Sequence, residues 1–483
     1  MTFPARLPSV YNRPMLLLLL LLAGTLSAQT WDVVIGNGRV IDPETGLDAV
    51  RWVGIRGGSI GAISASPLEG RTVIDARGLV VAPGFIDLHE HGQDFEAYTF
   101  QARDGVTSSF ELEVGTADVA GWYAAREGKS AINHGVSIGH IQVRMKVMKD
   151  PGDFLPSGSG AHQPSTPEQI EEMKRLMDAG FRQGAVAAGL GMVYTPAASR
   201  WEILEMFRLA AKYRASCHVH LRGGSTGTTS EPEAGLEEVL SAAAVTGAPL
   251  QVVHINSSSR NRAPQMLQIL REARARGLDV TTEMYPYIAG CTRIESASFD
   301  DWMDRPASAY QSLQWMATGE RLTRETFLKY RKQGGNVITF TNTEDMIEYS
   351  VHDPLPMIAS DGFGFETGTS HPRSAGTYSR ILGVYVREKK LMTIGEALRK
   401  MTLAPAQRLE ARVPAMKKKG RIQVGADADV TIFDPATVRD RSTFEHGKVA
   451  SEGIRDVMVG GTFVVRDSKL TSATPGRAIR APL

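Results

Sequence analysis

The chain has 483 residues, of which 42% are hydrophobic and 22% are charged, and its formal net charge is +1. This composition is that of an ordinary globular protein. A net charge so close to zero creates no overall field that would favour nucleic acid or an anionic membrane, so we expect no nucleic-acid partner. The length suits either three domains or one large barrel with a smaller satellite domain.

The first 28 residues have the order of a secretory signal. Two arginines precede an apolar run from Met15 to Leu22, and small residues follow it at Ser27 and Ala28. The run is shorter than the about 20 apolar residues that cross a bilayer, although an uncleaved anchor is an alternative. We therefore expect residues 1–28 to be a signal peptide, the protein to be exported to the periplasm, and no stable membrane span to remain after cleavage.

Short strands separated by glycine-containing turns are predicted near both ends of the chain. Residues 31–82 contain four short apolar or alternating segments, and the same pattern returns between residues 420 and 465. The economical explanation is a small β-sandwich domain built from both chain ends, comprising residues 29–83 plus 409–483.

Strands and helices alternate in the central part of the chain. Helical stretches such as residues 167–179 and 200–214 separate eight strand candidates. Eight such units predict an α/β fold in which residues 84–408 form a parallel (β/α)8 TIM barrel. The predicted strands are residues 85–89, 107–112, 135–143, 185–190, 216–220, 250–255, 280–284 and 357–360.

A long insertion, residues 292–356, precedes the last predicted strand. It carries several large aromatic residues, among them Trp302, Tyr310, Trp315 and Tyr330. Two interpretations stay open, and both can hold: a packed surface subdomain, or a lid over the mouth of the barrel.

Histidines stand at the ends of three predicted barrel strands. His89 and His91 are two residues apart, so they share one face of a strand and point into the carboxyl-terminal mouth, where active sites of this fold lie. His220 and His254 end two further strands, but His218 shares a face with His220, so spacing alone does not choose between them. Four imidazoles at one mouth suit Zn²⁺, which binds His nitrogen, Cys sulfur and carboxylate oxygen.

Carboxylates are predicted at the same mouth. Asp361 ends the last strand, where it can hold a metal and accept a proton from an attacking water; a simple Asp-Gly turn is the alternative. Glu111 and Glu113 share a face of the second strand, and either can supply the negative bridge that a pair of metal ions needs. Residues 185–192 contain no Lys that could be carboxylated to form such a bridge, which favours a glutamate.

Short motifs spread along the chain are similar to motifs of a known enzyme family. They resemble the metal-dependent amidohydrolase superfamily and, within it, the N-acyl-D-amino-acid deacylase (D-aminoacylase) branch, over residues 31–466. The motifs are Pro-Gly-Phe-Ile-Asp-Leu-His-Glu-His at 83–91, Gly-Leu-Gly-Met-Val-Tyr-Thr-Pro at 189–196, His-Leu-Arg at 220–222, Tyr-Pro-Tyr at 285–287, Ser-Asp-Gly at 360–362, His-Pro-Arg at 371–373 and Gly-Ala-Asp-Ala-Asp at 425–429.

The resemblance implies an activity, a cofactor and roles for individual residues. The activity is hydrolysis of the amide bond of a small-molecule N-acyl-D-amino acid to a carboxylic acid and a free D-amino acid, with one or two Zn²⁺ ions and with Asp361 as the catalytic acid/base. The implied metal ligands are His89, His91 and Asp361 for one ion and His220 and His254 for the other. The residues implied to meet the substrate carboxylate are Tyr194, Tyr285 and Arg373.

The chain departs from the better-known members of this branch at two positions. They have a metal-binding Cys at the end of the second strand, where this chain has Val114 preceded by Glu113, so we favour Glu113 over Glu111 as the ligand. They also have a Lys that helps to hold the substrate carboxylate, where this chain has the neutral Asn256. Arg373 is therefore expected to be the main determinant of carboxylate recognition.

Two other functions stay open at this point. A dipeptidase or cyclic-amide hydrolase on the same barrel would share the metal ligands and differ in the residues that bind a carboxylate. An exported binding protein without turnover is the alternative outside the enzymes, and Asp361 argues against it because binding alone needs no general base.

Overall fold

The computed structural model describes residues 30–223, 231–365 and 370–482. The predicted signal peptide, residues 1–28, lies outside the described residues. Among the residues that are described, no helix combines the length and the apolar character needed to cross a membrane.

Strands from both chain ends form one sheet beside the barrel, as predicted. The strands are β1 (Trp31–Asp42), β2 (Leu47–Arg56), β3 (Ser59–Ser64), β4 (Gly70–Asp75), β5 (Val80–Pro83), β17 (Val430–Phe433), β18 (Ile454–Val459), β19 (Thr462–Arg466) and β20 (Lys469–Leu470). They pair in the order β20-β19-β18-β17-β5-β1-β2-β3, with β4 also joined to β1. Buried aliphatic side chains such as Val40, Ile55 and Val430 form the core of this domain.

Eight parallel strands form the central barrel, which confirms the predicted fold class. They are β6 (Phe85–Asp87), β7 (Val106–Thr116), β8 (Asn133–Gly139), β9 (Ala188–Gly191), β10 (Cys217–His220), β11 (Leu250–Val252), β12 (Val280–Met284) and β16 (Pro356–Ile358), each paired with the next. The third strand is shorter than predicted, because the chain turns into a helix at His140.

The barrel closes just beyond the ends of its first and last strands. The backbone N–H of Asp361 donates to the carbonyl of His89 at 2.7 Å. The Asp87 carboxylate joins the same two segments, since it accepts hydrogen bonds from the backbone N–H groups of His89 and Ser360 at 3.0 and 3.1 Å. Closure therefore fixes the distance between the first and last strand ends, where the predicted site residues lie.

Helices surround the barrel, and α5 shows how the sequence specifies them. Thr166 and Gln169 form a capping box at its start, Pro167 occupies the first turn, and Met173 and Met177 face the core. The helices are α1 (Phe95–Arg103), α2 (Val119–Ala124), α3 (His140–Met148), α4 (Ser159–His162), α5 (Pro167–Arg182), α6 (Arg200–Lys212), α7 (Pro232–Thr246), α8 (Ile255–Ser259), α9 (Ala263–Ala275), α10 (Ala307–Tyr310), α11 (Arg324–Gln333), α12 (Glu344–His352), α13 (Arg373–Arg380), α14 (Ile394–Leu398) and α15 (Ala404–Leu409).

The insertion is a packed unit that also covers part of the barrel mouth. Its strands β13 (Gly290–Arg293), β14 (Leu313–Trp315) and β15 (Asn336–Thr339) form an antiparallel sheet in the order β13-β15-β14. Trp315 stacks on Tyr330 with their ring centroids 4.2 Å apart. Residues of β13 and β15 line a pocket together with barrel residues. The insertion is therefore both a packed subdomain and a cover over part of the barrel mouth.

A buried charge network joins α3, α6 and the chain that follows α4. Glu202 accepts from Arg144 Nη1 at 2.6 Å and lies 2.7 Å from His140 Nε2, and none of the three side chains is exposed. Burial alone would raise the pKa of Glu202, but His140 and Arg144 outweigh it and lower the pKa to about 2. The stabilisation is therefore present above about pH 4.5, the ordinary value, and is lost as the pH falls toward 2.

We expect Glu202→Ala to lower the free energy of unfolding by about 3–5 kcal/mol, because it leaves a buried guanidinium without its counter-charge. Urea unfolding followed by circular dichroism measures the change. Glu172→Ala is the matched control, since it removes a glutamate whose ion pair with Arg175 is exposed to solvent. This variant should change the midpoint of the urea transition little. Equal shifts for the two variants would contradict a stabilising role for the network.

Candidate metal centre

The structure brings the four strand-end histidines together at the carboxyl end of the barrel. His89 and His91 follow β6, His220 ends β10, and His254 follows β11. The rings of His89 and His91 have centroids 5.0 Å apart, and His254 Nε2 lies 3.2 Å from His220 Nδ1. Four imidazoles from three strands therefore face one small volume.

Carboxylates complete two overlapping groups of metal-ligating atoms. Within each group the ligating atoms lie within 4.8 Å of one another. Glu113 belongs to both groups: its Oε2 lies 2.8 Å from His89 Nε2 and its Oε1 lies 2.8 Å from His220 Nδ1. The first group is His89, His91, Glu113 and Asp361, and the second is Glu113, His220 and His254.

An irregularity in β7 turns Glu113 into the mouth. The register of β7 against β8 shifts between Glu111 and Thr116, so the residues between them leave the regular pairing. The neighbouring strand β9 approaches this segment closely, since a Cβ at Gly189 would overlap the Glu113 carbonyl oxygen. Glycine at position 189 is therefore required for the approach of β9 to the strand that carries Glu113.

Two further carboxylates hold the outer nitrogens of His89 and His91. Glu283 Oε1 lies 2.6 Å from His89 Nδ1, and Glu111 Oε2 lies 2.7 Å from His91 Nδ1. Such partners fix the tautomer and the direction of a ligating imidazole. Glu111 is thus engaged with His91, and the geometry favours Glu113 as the carboxylate between the two groups.

Glu283 was not among the site residues predicted from the sequence. It lies within β12, is 1% exposed, and accepts a second hydrogen bond from Gln251 at 2.8 Å. The signal for it was present, because a carboxylate inside a buried barrel strand is rare unless it has a partner. Its partner His89 is far away in the sequence, and only the closed barrel brings the two together.

His220 reaches the cluster and His218 does not. His218 lies one step deeper on the same strand face, where its Nε2 is 3.0 Å from Ser216 Oγ. Burial lowers the pKa of His218 well below its ordinary value, which keeps the ring neutral. The residue nearer the carboxyl end of β10 is the one that faces the mouth.

The charges of the cluster suit a divalent cation. Burial would lower the pKa of His89, but Asp361, Glu113 and Glu283 outweigh it and raise the pKa well above its ordinary value. Burial would raise the pKa of Glu113, but the surrounding imidazoles, chiefly His220, hold it well below its ordinary value. Ionised carboxylates and imidazole nitrogens concentrated in a buried site are donors that first-row divalent metals bind.

The backbone is strained where two of these side chains are presented. His254 has φ +32° and Asp361 has φ +52°, in the left-handed region that residues other than glycine seldom adopt. Strain of this kind costs on the order of 1–3 kcal/mol and persists where the surrounding structure determines the conformation. In both cases the residue lies two or three positions beyond the end of a barrel strand and turns its side chain toward the cluster.

Arg373 is the first residue of α13 and lies beside Asp361. Its side chain is fully buried, with Nη1 2.9 Å from Asp361 Oδ2 and the guanidinium carbon 4.5 Å from the centroid of the Tyr285 ring. The distance to Asp361 is that of an ion pair, yet within the described residues no acceptor takes a well-aligned hydrogen bond from Nε or Nη1. Buried donors of this kind are costly unless they are satisfied, which favours an anionic ligand.

Of the three residues predicted to bind a substrate carboxylate, Tyr285 lies against Arg373, whereas Tyr194 lies beside His220. Tyr285 supports the Arg373 guanidinium with its ring. Tyr194 lies next to the second group, with its ring 5.1 Å from that of His220, and its hydroxyl accepts from Thr292 Oγ1 at 3.1 Å. Asn256 uses its side chain to hold the backbone N–H and carbonyl of Tyr285 at 3.3 and 3.1 Å.

A small pocket lies over the cluster and is closed by residues of the barrel loops and of the insertion. Its polar floor includes Glu113, His220 and Asp361, and its walls include Leu155 and Thr292. A larger groove of about 660 Å³ lies elsewhere, beside α14 and β17. We place the chemistry at the smaller pocket, because the metal-ligating groups found among the described residues are there.

Known proteins are similar to this chain over both the barrel and the sheet formed by the two chain ends. Residues 163–465 match the profile of the amidohydrolase family. The N-acyl-D-glutamate deacylase of Alcaligenes xylosoxydans xylosoxydans is 31% identical over 93% of this chain and 96% of its own length, and the D-aminoacylase of the same organism is 28% identical over 94% and 98%. The crystal structure of N-acyl-D-glutamate deacylase from Bordetella bronchiseptica, complexed with zinc and a phosphonate inhibitor, has a TM-score of 0.80 at 26% identity and covers 94% of this chain and 100% of its own.

We expect Glu113→Ala to abolish most binding of divalent metal, because it removes the carboxylate shared by both groups. Glu111→Ala should weaken binding by only about 10–100-fold, the usual effect of removing a residue that orients a ligand. Elemental analysis of the purified variants after dialysis against a graded series of metal concentrations measures the difference.

His218→Asn is the matched control for these variants, since it alters a buried imidazole outside both groups, and it should retain the metal content of the unaltered protein. Loss of metal from Glu111→Ala together with retention by Glu113→Ala would show that the two glutamates were assigned the wrong way round.

Proposed function

Because the chain belongs to the amidohydrolase family, we propose that it hydrolyses the amide bond of N-acyl-D-amino acids to a carboxylic acid and a free D-amino acid. The observation that carries the proposal is the position of Arg373, a buried guanidinium with unsatisfied donors 2.9 Å from a carboxylate of the cluster. An N-acyl amino acid places an α-carboxylate next to its scissile amide, so it needs one cation at such a position. The D configuration is supported by the relatives, which act on D-amino-acid derivatives by name.

We assign Zn²⁺, as one or two ions, as the bound metal. Support comes from the His-nitrogen and carboxylate-oxygen donor set and from the zinc in the related deacylase structure. When bound, the metal supplies a Lewis acid that polarises the scissile carbonyl and lowers the pKa of water. His89, His91 and Asp361 would hold one ion, His220 and His254 the other, with Glu113 between them.

Asp361 is the residue that moves the proton. Burial would raise its pKa, but Arg373 and His89 hold the pKa below its ordinary value, so the carboxylate is ionised at neutral pH. It accepts a proton from the attacking water and then delivers it to the leaving nitrogen, which departs as a neutral amine. It lies where the first and last strands meet, with Oδ1 3.3 Å from the Nε2 atoms of His89 and His91.

Arg373 orients the substrate. Its planar guanidinium can bind the α-carboxylate through two parallel hydrogen bonds, and the Tyr285 ring beneath it limits its motion. Holding that carboxylate fixes the neighbouring amide carbonyl over the cluster, which converts binding energy into orientation.

A dipeptidase or cyclic-amide hydrolase is the other candidate on this barrel. A hydantoin has no α-carboxylate beside its scissile bond for Arg373 to bind, so the site favours N-acyl amino acids over this cyclic amide. Release of amine from N-acetyl-D-amino acids, N-acetyl-L-amino acids, dipeptides and a hydantoin, measured with and without added Zn²⁺, tests the proposal. Faster hydrolysis of the N-acetyl-D series is expected, and activity confined to the hydantoin or to dipeptides would contradict it.

We expect Asp361→Asn to lower kcat by about 10²–10⁴-fold, because the amide cannot accept the proton. Steady-state kinetics on the preferred N-acetyl-D-amino acid gives the loss, and circular dichroism checks that the fold is intact. More than about a tenth of the activity at normal metal content would support the simple Asp-Gly turn instead.

We expect Arg373→Ala to lower kcat/KM for N-acyl amino acids by roughly 10–100-fold, the equivalent of a charged hydrogen bond. The control is the matching primary amide, in which the α-carboxylate is replaced by a neutral group, and it should lose little. Equal losses on both substrates would mean that Arg373 acts by supporting Asp361 and not by binding the carboxylate.

A further inference from the structure

We propose that a second binding site, which takes the phosphate group of a small molecule, lies beside the amino-terminal end of β8. The site is a cavity of about 360 Å³ between the start of β8, the loop after α2 and the last described residues of the chain. His134 lines it and is the second residue of β8, whereas the metal-ligating cluster lies at the carboxyl ends of the barrel strands. The inference therefore goes beyond the proposed hydrolysis and does not depend on it.

His134 is a buried histidine whose ring lacks hydrogen-bond partners. It is 1% exposed, and neither ring nitrogen has a partner of hydrogen-bonding geometry among the described residues. The rings of Tyr98, Trp122 and Tyr123 pack around it. A buried polar group without a partner is costly, so its place in the wall of a cavity points to a ligand that satisfies it.

The surroundings of His134 are positively charged. Burial lowers the pKa of His134 to about 4, although the carbonyl of Ile132 opposes this effect. The positive charges of Arg126 and Arg480 contribute to the lowered pKa. At neutral pH the ring is therefore uncharged, with one nitrogen that donates and one that accepts a hydrogen bond.

Two arginines of the carboxyl-terminal segment complete the wall of the cavity. Arg477 and Arg480 both line it, and within the part of the chain that the structure describes neither forms an ion pair with a carboxylate. The guanidinium carbon of Arg480 lies 4.2 Å from the centroid of the Tyr123 ring, which limits its motion. Glu127 is the one acidic residue among the described lining residues, so two guanidiniums share the cavity with a single carboxylate and positive charge is in excess.

Backbone pairing fixes these arginines beside His134. The N–H of His134 donates to the carbonyl of Arg477 at 3.1 Å, and the N–H of Ile479 donates to the carbonyl of His134 at 2.7 Å. A Cβ at Gly476 would lie 2.0 Å from the carbonyl oxygen of Ile132, so this close approach requires glycine. The carboxyl-terminal segment is therefore a fixed wall of the cavity.

The donors of the cavity suit a phosphate group. A guanidinium can bind phosphate through two parallel hydrogen bonds. A phosphate ester has three acceptor oxygens and a charge of about −1.5 to −2 at pH 7, so it can satisfy both guanidiniums and the ring of His134, whereas a carboxylate has two oxygens and one charge. The volume of about 360 Å³ lies within the range of small-molecule sites, which leaves room for the organic part of a phosphate ester.

The test uses inorganic phosphate as the probe, in isothermal titration calorimetry of the purified protein with its bound metal at constant ionic strength. Phosphate can also bind at the metal centre, so the comparison is between variants. The double variant Arg477→Gln/Arg480→Gln should lower the affinity of one phosphate site by at least about tenfold, the effect of losing a charged hydrogen bond. Unchanged binding in this variant, or no binding by the unaltered protein, would overturn the proposal.

Two controls separate this site from general attraction of anions. Arg466→Gln is the matched variant, since Arg466 is also exposed and its guanidinium carbon also lies over an aromatic ring, 5.0 Å from the centroid of Phe463. It should bind phosphate as the unaltered protein does, and a loss equal to that of the double variant would show that only the net charge matters. Acetate should bind at least about tenfold more weakly than phosphate, and equal affinities would overturn the assignment of a phosphate group.

His134→Phe tests the part played by the imidazole. The change removes both ring nitrogens and keeps an aromatic ring among its aromatic neighbours. Because neither nitrogen has a partner within the described chain, Tm should change little, while phosphate binding weakens by about tenfold. A large fall in Tm with phosphate binding intact would show that His134 has a structural role, and would overturn its place in the site.

His134→Gln is the conservative counterpart, since its amide keeps an N–H donor. It should bind phosphate more tightly than His134→Phe does. Equal affinities in the two variants would show that the ring nitrogens of His134 do not contact the anion, and would also overturn the proposed set of ligating residues.

Discussion

The carboxylate of Glu113 is the contact on which the site depends. It lies between the imidazoles of His89 and His220, 2.8 Å from each, and so joins the two halves of the cluster. A buried anion is stable there only because cations or polarised nitrogens surround it on every side. The histidines supply those nitrogens. The irregular segment of β7 and the closure of the barrel bring Glu113 and the histidines close enough for contact.

Support for the cluster comes from residues that do not face the pocket. Glu283 and Glu111 fix the directions of His89 and His91, and Asp87 ties the first strand end to the last. On the other side, Asp361 is paired with Arg373, whose guanidinium packs on Tyr285. The candidate metal site and the proposed carboxylate-binding residue Arg373 are thus joined through one carboxylate, which is the arrangement that the proposed hydrolysis of an amide beside an α-carboxylate requires.

Much of this organisation could be predicted from local patterns. Alternating strands and helices gave the (β/α)8 barrel, and glycine-punctuated strands at both ends gave the second sheet, because hydrophobic periodicity and turn residues act over short distances. His89 and His91 were recognisable as a pair because side chains two residues apart on a strand share a face. The predicted end of β8 lies a few residues beyond the observed one, because the helix that starts at His140 has no capping side chain to mark its beginning.

The sequence by itself determined the fold class, the two-ended sheet and which residue types stand at the strand ends, since those depend on periodicity along the chain. Only the tertiary structure places His220 and Glu113, and not His218 and Glu111, within the candidate groups of metal-ligating atoms, because a spacing of two puts both members of each pair on one strand face. It also revealed Glu283 and placed Arg373 at the start of α13, beside Asp361. Those outcomes depend on how far each side chain lies from the mouth and on contacts between distant strands, which exist only once the barrel has closed.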